Sequence, residues 1–510
     1  MDHLVALARA VFFVLFGVLL APVAIAQQTL SVPLNHATIQ AAIDASQAGD
    51  TVLVSPGTYV ENIDFAGKDI VVRSTHGPDT TIIDGNQNGS VVSFLGGEGP
   101  AARLEGFTIT NGTGTMHGAP GISPIYRGGG ILCGDASPTI VRNSILGNSA
   151  EEGGGVFCER SSAVIAGNQI VSNNAHKRAG IGIYNRYHDY GDGPRTIVDG
   201  NLIVGNLTDA GFQGGGGGIG CDWSEVLIVN NMIVENHADQ HGGGVEVWDD
   251  FGNATAILVN NTIYGNTAGQ RGGGIYSHHS SPTVVNTIVW GNCAPEGRQI
   301  LDFFPGSYAA VVSYSNVQGG HPGTGNLDAD PRFVAPSSGD FHLLSISPSI
   351  DAGSNAAALL PATDFDGEPR IVGPTVDMGA DEESQSCSEL TVTGSGAPGT
   401  DIQLDLVGGH TNSILFLALS DSVGETGFDF GALGSLKLGL GSPVEYFVIG
   451  LTDQGGSFST TVAVPVGLPL IEINAQAVSM KYTLEFAPGG SLAFKLDFCP
   501  SNVVGLRAGS

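Results

Sequence analysis

Aromatic and charged residues follow the glycine-rich turns of this 510-residue chain at fixed offsets. If the short segments after those glycines are β-strands, alternate side chains point outward, and these residues occupy the outward positions. The aromatic members are Phe157, Tyr184, Trp223, Trp248 and Tyr276, and the polar members are Glu159, Arg186, Asp222, Glu246, Asp249 and His278. Aromatic faces pack on sugar C–H groups while polar side chains bond hydroxyls, so the set predicts a glycan-binding face.

Two carboxyl groups of this face could also cleave a polysaccharide. Asp222 and Glu246 are expected on neighbouring coils about 8 Å apart, a separation typical of inverting glycosidases. Arg186 beside Asp222 could instead neutralise a uronate carboxylate, which would suit a lyase. No cofactor is expected, although Ca²⁺ near Asp249 and Asp250 could take the same neutralising role.

A structural explanation covers many of the same residues. Stacked charges of alternating sign, such as Glu159, Arg186 and Asp222, form ordinary ion-pair ladders that add little stability. We therefore favour a secreted or cell-surface protein that binds a polysaccharide or cell-envelope glycan without catalysis. A polysaccharide lyase or glycoside hydrolase is the alternative, and a purely structural envelope component is the third hypothesis.

An internal repeat positions these residues. One half is Asn-x-apolar-x-x-Asn, beginning at Asn143, Asn168, Asn201, Asn231 and Asn261, with a variant one residue longer at Asn286. The other half is a glycine triplet before Ile or Val, beginning at Gly128, Gly153, Gly216, Gly242 and Gly272, with an imperfect copy at Gly180. This period, with short β-branched runs, predicts coils of two or three strands stacked in parallel, and hence an all-β, right-handed parallel β-helix.

The inward positions of the same segments predict a stack of small and apolar side chains. That column contains Cys133, Cys158, Asn185, Cys221, Val247 and Ser277. Cys133 and Cys158 would be neighbours at about the 5 Å spacing of adjacent strands, where a disulfide could form. We favour reduced, inward thiols there. Cys387 and Cys499 flank the C-terminal region and could link its ends.

Both ends of the repeat region resemble known β-helix proteins. Residues 38–43 predict a short helix before a strand at 51–54, which resembles the entry cap of the pectin-lyase-like superfamily. Residues 330–334, 364–367 and 377–380 resemble the closing segment of secreted bacterial β-helix proteins. The repeats are also similar to those of polymorphic outer-membrane autotransporters. The resemblance spans about residues 30–383 and implies the fold, while the superfamily hosts many activities and binding functions.

The catalytic signatures of that superfamily are missing from this sequence. The chain contains none of the Asn-Thr-Asp, Gly-His-Gly and Arg-x-Lys motifs of polygalacturonases, nor the Arg-x-Pro-x-x-Arg of pectate lyases. The Gly-x-Val-Asp-Phe-Ile-Phe-Gly segment of pectin methylesterases is also absent. Asp364 to Gly367 is similar to a calcium loop, but a turn that closes the helix explains it, and no metal ligands are expected.

The first 26 residues predict a signal peptide, with an apolar run followed by Ala24-Ile25-Ala26 before the expected cleavage site. We therefore expect an extracytoplasmic protein with no transmembrane helix after cleavage. The formal net charge of −30 opposes binding to nucleic acid. The oligomeric state has no signal in the sequence.

The repeat stops near Cys387, and the remaining chain has a different pattern. Segments 402–406, 413–419, 445–451, 457–464 and 492–498 predict strands separated by turns, and we infer a small β-sandwich. The expected domains are a signal peptide at 1–26, a capped β-helix at 27–320, its closing segment at 321–386, and the β-sandwich at 387–510.

Overall fold

A computed structural model describes residues 27–118, 125–185, 195–209, 214–250, 254–344 and 346–383, and the strands between 389 and 508. The signal peptide predicted at 1–26 lies outside the described residues. The chain divides into two compact units, one formed by Met1–Leu343 with Ser347–Glu382 and the other by Leu344–Ile346 with Glu383–Ser510. Within the described residues, no helix is both long and apolar enough to cross a membrane.

The first unit is a parallel β-helix, which confirms the predicted fold class. Each complete coil contributes one strand to each of four sheets, so the expected two or three strands per coil is too few. In chain order along a coil, we number these sheets I to IV. A parallel register joins equivalent residues of successive coils, as in Ile140 with Ile165 and Ile145 with Ile170.

The strand bounds in the four sheets are as follows. Sheet I contains Thr29–Val32, Thr51–Val54, Val71–Ser74, Arg103–Glu105, Thr139–Val141, Val164–Ala166, Arg195–Asp199, Glu225–Val229, Thr255–Val259, Thr283–Val285 and Val311–Ser313. Sheet II contains Gly57–Val60, Thr81–Asp84, Thr108–Thr110, Ser144–Leu146, Gln169–Val171, Leu202–Val204, Met232–Val234, Thr262–Tyr264, Ile288–Trp290 and Asn316–Val317. Sheet III contains Thr115–His117, Ile125–Arg127, Ser149–Glu152, Asn174–Lys177, Leu207–Thr208, His237–Ala238 and Thr267–Ala268. Sheet IV contains Ile63–Asp64, Val92–Phe94, Ile131–Gly134, Val156–Glu159, Ile181–Tyr184, Ile219–Asp222, Val245–Trp248, Ile275–His278 and Ile300–Asp302.

The interior consists largely of stacked β-branched and aliphatic side chains. A sheet IV strand such as Val156–Glu159 contributes two of its residues, Val156 and Cys158, to this core. In sheet II, Ile145, Ile170, Ile203 and Ile233 lie above one another and are fully buried. β-Branched residues suit this position because they pack well on a pleated surface that is buried on its inner face. The stacks explain why the sequence repeats its apolar residues without any helical periodicity.

The repeated asparagines form two buried ladders along the helix. Asn206 is typical: its Nδ2 donates to the Ile170 carbonyl and to Asn236 Oδ1, each at 2.9 Å. One ladder joins Asn143, Asn168, Asn201, Asn231 and Asn261, and the other joins Asn148, Asn173, Asn206, Asn236, Asn266 and Asn292. Thr287, rather than Asn286, aligns with Asn261, so the variant repeat has the normal length. These bonds satisfy the backbone groups of a buried corner.

The glycine triplets form the corner between sheets III and IV, where successive backbones come too close for a side chain. A Cβ on Gly155 would lie 2.5 Å from the Gly180 carbonyl oxygen, and Gly153 has a φ of 67°. Only glycine meets both demands without strain. The corner therefore explains the second half of the sequence repeat.

The N-terminal end is capped by a helix, Ile39–Ala45, as the sequence predicts. Thr38 Oγ1 accepts a hydrogen bond from the Ala41 amide, which makes Thr38 the N-cap. The Glu61 carboxylate accepts from the amides of Ile39 and Gln40 and so satisfies the first turn. The apolar face of the helix packs on the first coil through Ile39 and Ile43, which are fully buried.

At the other end, the closing segment folds back along the outside of the β-helix. It contains an antiparallel pair, Phe333–Ala335 with Asp340–Leu343, linked by a 3₁₀ turn at Pro336–Ser338. Phe341 and Met378 pack with Ile288 in an apolar cluster outside the main core. The Asn260 side chain also donates to the carbonyls of Asp377 and Gly379.

The second unit is built of antiparallel strands. Their bounds are Glu389–Thr393, Asp401–Val407, Ile414–Ser420, Val423–Asp429, Ser435–Leu440, Val444–Leu451, Phe458–Ala463, Ile471–Phe486, Leu492–Pro500 and Val504–Ala508. The five strands predicted from the sequence coincide with members of this set within one or two residues. The β-sandwich arrangement, the domain boundaries and the link between Cys387 and Cys499 stay predictions.

Candidate functional site

The predicted face lies on the outside of sheet IV, beside the glycine corner. The in-and-out alternation is confirmed: Cys133, Cys158 and Cys221 are buried, free thiols in the inward column, with Cys133 paired in register to Cys158. The register corrects one position of this column. Ile183, rather than Asn185, occupies the inward column between Cys158 and Cys221.

The same correction moves Tyr184 and reveals Arg178. Tyr184 pairs in register with Glu159 and Asp222, in the place assigned to Arg186 by the sequence pattern. In this coil the glycine triplet is replaced by Arg178-Ala179-Gly180. Alignment of Gly180 with the first glycine of the other triplets hides Arg178 from the sequence pattern. Arg186 lies outside the described residues.

Most of the face is covered, contrary to the expectation of an open surface. Phe157, Glu159 and Asp249 have no exposed surface, and Tyr276 is 1 % exposed. The residues Tyr184, Asp222, Glu246 and His278 are between 7 % and 9 % exposed. Trp223 and Trp248 are partly exposed. The outward columns therefore form a second layer of aromatic and charged side chains over sheet IV, in addition to the inner core.

Two arginines from the direction of sheet III cover this layer. The Arg127 guanidinium carbon lies 5.0 Å from the Phe157 ring centroid and 5.5 Å from the Tyr184 ring centroid. The Arg178 guanidinium carbon lies 5.6 Å from the same Tyr184 ring centroid. Cation–π contacts of this kind contribute most where water is excluded, as it is here.

The charged residues of the layer form one continuous ion-pair network. Arg127 Nε is 3.0 Å from Glu152 Oε2, and Arg127 Nη1 is 3.2 Å from Glu159 Oε2. Arg178 Nη1 is 3.2 Å from Glu152 Oε1. Arg178 also donates to both carboxylate oxygens of Asp222, through Nε at 3.1 Å and through Nη2. Charges of opposite sign therefore alternate along the network, in the order Glu159, Arg127, Glu152, Arg178 and Asp222.

Two glycines make room for Arg178. In neighbouring coils the outward position two residues into the strand carries Phe157, Glu246 or Tyr276, whereas here it is Gly182 and Gly220. A Cβ at Gly220 would lie 2.4 Å from Arg178 Cγ, and one at Gly182 would lie 3.1 Å from Arg178 Cβ. The Arg178 side chain therefore occupies the space that a larger residue at Gly182 or Gly220 would fill.

Glu246 differs from the other carboxylates of the layer. Within the described part of the chain, no group donates a hydrogen bond to its carboxylate, which lies against Gly215. Burial, assisted by the charge of Asp222, raises the pKa of Glu246 to about 8, although Arg178 and Lys177 oppose the shift. Burial also raises the pKa of Asp222, against the attraction of Arg178. Two neighbouring carboxyl groups thus compete for one buried cation.

An accessible group of rings continues from Trp248 toward the last coil. Trp248 and His278 stack with centroids 3.7 Å apart at 6°, and His278 stacks on Phe303 at 5.3 Å. His279 stacks on Phe304 at 4.0 Å, and Tyr308 lies edge-on to His279 at 5.4 Å. We call Trp248, His278, His279, Phe303, Phe304 and Tyr308 the aromatic strip. Phe303 and Phe304 are each 37 % exposed, which sets this strip apart from the covered layer.

Only part of the aromatic strip is predictable from the repeat pattern. Trp248 and His278 belong to the predicted face, whereas Phe303, Phe304 and Tyr308 follow the last strand of sheet IV, in a segment without the repeat motif. The adjacent Phe303-Phe304 pair was the available signal, because consecutive side chains of an extended segment point to opposite sides, so one of two adjacent rings faces outward.

A separate cleft of about 590 Å³ opens beside the last coils. Its lining includes Cys293, Arg298, Gln299, Gln318 and His321. Gln299 Oε1 accepts from Asn292 Nδ2 at 2.7 Å and so ends one of the asparagine ladders. This cleft contains none of the site residues predicted from the sequence.

Comparisons with known proteins return structures of similar fold and no close relative. No protein-family model matches the chain, and no curated protein matches it. A pectin methylesterase from carrot is 12 % identical, with 60 % of this chain and 85 % of that chain covered, at a TM-score of 0.26. Pectin methylesterase PemA from Erwinia chrysanthemi is 10 % identical, with 58 % of this chain and 90 % of that chain covered, at a TM-score of 0.24.

A viral structure is similar over more of the chain. The enzymatically active domain of tailspike protein 4 from bacteriophage CBA120 is 10 % identical, with 92 % of this chain and 65 % of that chain covered, at a TM-score of 0.22. Similarity at this level carries no information on activity. The assignment of a parallel β-helix rests on the sheets described above.

Proposed function

We propose that the protein binds neutral glycan chains on its aromatic strip without cleaving them. The observation that carries this proposal is a row of stacked rings, from Trp248 over the buried His278 to Phe303, along the direction in which coils stack. Trp248, Phe303 and the adjacent Phe304 expose part of their ring surface. The signal peptide predicted at 1–26 would bring this surface into contact with extracellular or envelope glycans.

The chemistry of the aromatic strip suits sugars better than it suits other ligands. Ring surfaces that are only partly covered pack against the C–H face of a pyranose, and the burial of apolar area supplies the free energy. Polar groups border the rings: Trp248 Nε1 lies 3.3 Å from Asp250 Oδ1, and Asp250 is exposed. An exposed carboxylate beside an aromatic ring can accept hydrogen bonds from sugar hydroxyls.

The charge of the protein favours neutral over acidic glycans. The formal net charge is −30, and Asp250 adds local negative charge beside the aromatic strip. Uronate or sulfate groups would be repelled at low ionic strength. We therefore expect binding to glucans, xylans or chitin rather than to pectate or alginate.

The geometry of the covered layer argues against the predicted catalytic pair. Asp222 is held by two hydrogen bonds from Arg178, so it is not free to act as base or nucleophile. Glu246 is 7 % exposed, and its carboxylate lies on the backbone of Gly215. A glycosidase needs its two carboxyl groups to flank the scissile bond, both accessible to the substrate or to the attacking water. In this arrangement Arg127 and Arg178 cover the layer that contains these two carboxyl groups.

The test is a binding measurement on a panel of insoluble and soluble polysaccharides, with reducing ends followed in the same samples. We expect retention of the wild-type chain on at least one neutral glycan without release of reducing ends. Phe304→Ala and Trp248→Ala should each weaken binding by roughly 10-fold, as the loss of one stacking ring does at other binding surfaces. Tyr126→Ala is the matched control, because Tyr126 is an exposed ring, 48 % accessible, on sheet III away from the aromatic strip.

Loss of binding in Tyr126→Ala, or unchanged binding in both Phe304→Ala and Trp248→Ala, would contradict the proposal. Binding that is restricted to pectate or alginate would contradict the preference for neutral chains. Folding of each variant is checked by its unfolding midpoint, because Trp248 and Phe304 stack on His278 and His279 and their removal also takes away packing.

One observation favours a second function, hydrolysis of a glycan. Glu246 is a buried carboxyl group whose pKa is raised to about 8, as expected of a general acid at neutral pH. If the layer opened on substrate binding, Glu246 could protonate a leaving group. Release of reducing ends by the wild-type chain, abolished in Glu246→Gln and retained in Phe157→Leu, would establish this function in place of simple binding.

A further inference from the structure

A cluster of metal-ligating side chains lies in the closing segment, away from the aromatic strip. His342 comes from the strand Asp340–Leu343, Asp366 from the turn at residues 364–368, and Asp381 from the last described stretch of the segment. One ligand atom from each of the three residues lies within 4.8 Å of the other two. Three parts of the chain that are distant in sequence thus present nitrogen and oxygen ligands to one point.

The imidazole of His342 is oriented as metal-binding imidazoles usually are. Asp340 and His342 are two residues apart on a strand and therefore share its outer face. His342 Nδ1 lies 2.6 Å from Asp340 Oδ1, while Nε2 lies 2.9 Å from Asp366 Oδ2. A histidine ligand commonly donates its second ring N–H to a carboxylate, which fixes the ring and directs the other nitrogen at the ion.

The carboxylate of Asp381 provides an independent reason to place a cation here. Asp381 is 5 % exposed. Among the described residues, the Leu343 amide is the one hydrogen-bond donor to this carboxylate, at 3.1 Å, and no lysine or arginine pairs with it. A carboxylate buried with so few donors needs positive charge beside it. His342 is the cationic group that faces it, and an ion bound to both residues would supply more positive charge.

The fourth acidic residue of the region has a different role. Asp364 Oδ1 accepts from the amides of Asp366 and Glu368, and its Oδ2 accepts from the Glu382 amide. These bonds hold the turn that presents Asp366 and fix it beside the stretch that contains Asp381. Asp364 is therefore a positioning residue for the cluster, since its oxygens are already used by the backbone.

We propose that His342 Nε2 and the carboxylates of Asp366 and Asp381 bind a divalent transition-metal ion of the Zn²⁺ type. One imidazole nitrogen with two carboxylates suits zinc, whereas Ca²⁺ and Mg²⁺ prefer oxygen ligands alone. His342 and Asp366 are about half exposed, so their side chains can close the ligand distances around an ion. Water would complete the coordination.

The ion would link three parts of the closing segment to one another. The segment covers the outside of the β-helix through Phe341 and Met378, and it is bonded to the coils through Asn260. An ion bound by the folded state and not by the unfolded chain stabilises that state in proportion to the logarithm of its concentration. The proposed site is therefore structural and independent of glycan binding.

The experiment is calorimetric titration of the chain without its predicted signal peptide, residues 27–510. Metal is first removed with a chelator, and ZnSO₄ and then Ca²⁺ serve as titrants. We expect one Zn²⁺ per chain and no measurable heat from Ca²⁺ at the same concentrations. His342→Ala should abolish binding, and Asp340→Ala should weaken it by roughly 10- to 100-fold as the loss of a supporting carboxylate does. His76→Ala, which changes an exposed histidine near the other end of the β-helix, should bind like the wild type.

A second measurement separates loss of the site from loss of the fold. Thermal unfolding should shift upward with Zn²⁺ in the wild type and in His76→Ala, and should not shift in His342→Ala or Asp381→Asn even where these fold normally without metal. Absence of a wild-type shift, equal binding in His342→Ala, or equal responses to Ca²⁺ and Zn²⁺ would overturn the proposal. If the wild type shows no shift, His342 would instead serve as a protonated bridge between Asp340 and Asp366.

Discussion

Arg178 donates two hydrogen bonds to Asp222 from a position at which the two neighbouring coils have glycine. Its φ of 56° is close to those of Gly153 and Gly216, at 67° and 70°. A non-glycine residue in this conformation is strained by about 1 kcal/mol, so the contacts of its side chain must offset that strain. The pair explains how one coil departs from the repeat while preserving the register of the sheets.

Restoring the repeat at this position should therefore destabilise the protein. Arg178→Gly relieves the backbone strain but leaves the Asp222 carboxylate buried without its cation, while Glu152 keeps its pairing with Arg127. Removing one partner of a buried pair typically lowers the free energy of unfolding by about 3–5 kcal/mol, which exceeds the gain from glycine. Urea unfolding of the variant should show this loss. Asp222→Asn in the Arg178→Gly background should recover part of it.

Arg142→Gly is the matched control for that experiment. Arg142 also has a left-handed backbone, with a φ of 54°, and it also pairs with a carboxylate, Glu105. However, its side chain is 67 % exposed. An exposed pair contributes about 0–1 kcal/mol, so this substitution should be neutral or slightly stabilising. Equal destabilisation by the two arginine substitutions would show that burial of the Arg178 network is unimportant.

The space around Arg178 gives a second prediction. Gly220→Ala would place a Cβ 2.4 Å from Arg178 Cγ and should displace the guanidinium from Asp222. Because the covered layer is close-packed, we expect a loss of about 2 kcal/mol in the free energy of unfolding. Gly306→Ala is the control, since its Cβ would meet nothing within 4 Å. A neutral Gly220→Ala would mean that Arg178 has other favourable positions available to it.

The repeat made the fold predictable because each coil obeys the same local rules. Asn143 and Asn148 mark the two ends of a sheet II strand, and the inward cysteine stack follows from simple alternation. The number of strands per coil was underestimated. Sheet III strands such as His237–Ala238 have only two residues, and such short strands carry no periodic signal of their own.

The site was less predictable because it depends on the residues that break the repeat. Arg178 replaces a glycine, so alignment on glycines alone moved Tyr184 and Asn185 out of register. Outward alternation also does not report burial: Glu159 points away from the core, yet Arg127 and Arg160 cover it completely. A side chain that covers another strand from a different sheet leaves no pattern in the sequence.

The asparagine ladders give a third prediction. Asn206→Ala removes the donor to the Ile170 carbonyl and the acceptor for the Asn173 amide, both buried. Each buried group left without a partner costs about 1–3 kcal/mol, so the free energy of unfolding should fall by roughly 3 kcal/mol or more. Asn88→Ala, at an exposed asparagine, should change it by less than about 0.5 kcal/mol. Similar values for the two variants would show that the ladder does not contribute to the free energy of unfolding.

Glu246 gives a prediction about pH. Its pKa is about 8 in the folded protein, against 4.5 for an ordinary glutamate, because it is buried beside Asp222. Arg178 and Lys177 attract its charge but do not offset the burial. Below pH 4.5 both states hold the proton, so Glu246 has no effect on the pH dependence. Between pH 4.5 and 8 the folded state binds more protons than the unfolded state, and stability falls as pH rises.

The free energy of unfolding should therefore decline by an amount on the order of a few kcal/mol across that interval, and then level off above pH 8. Glu246→Gln removes the titrating group and keeps the shape of the side chain, so its stability should lose this part of the decline and exceed that of the wild type at pH 8. Glu151→Gln, at a partly exposed carboxylate on sheet III that accepts from the Tyr126 amide, should retain the wild-type slope. A Glu246→Gln variant with an unchanged slope would mean that Glu246 is ionised in the folded protein, with a cation or water compensating its charge in the covered layer.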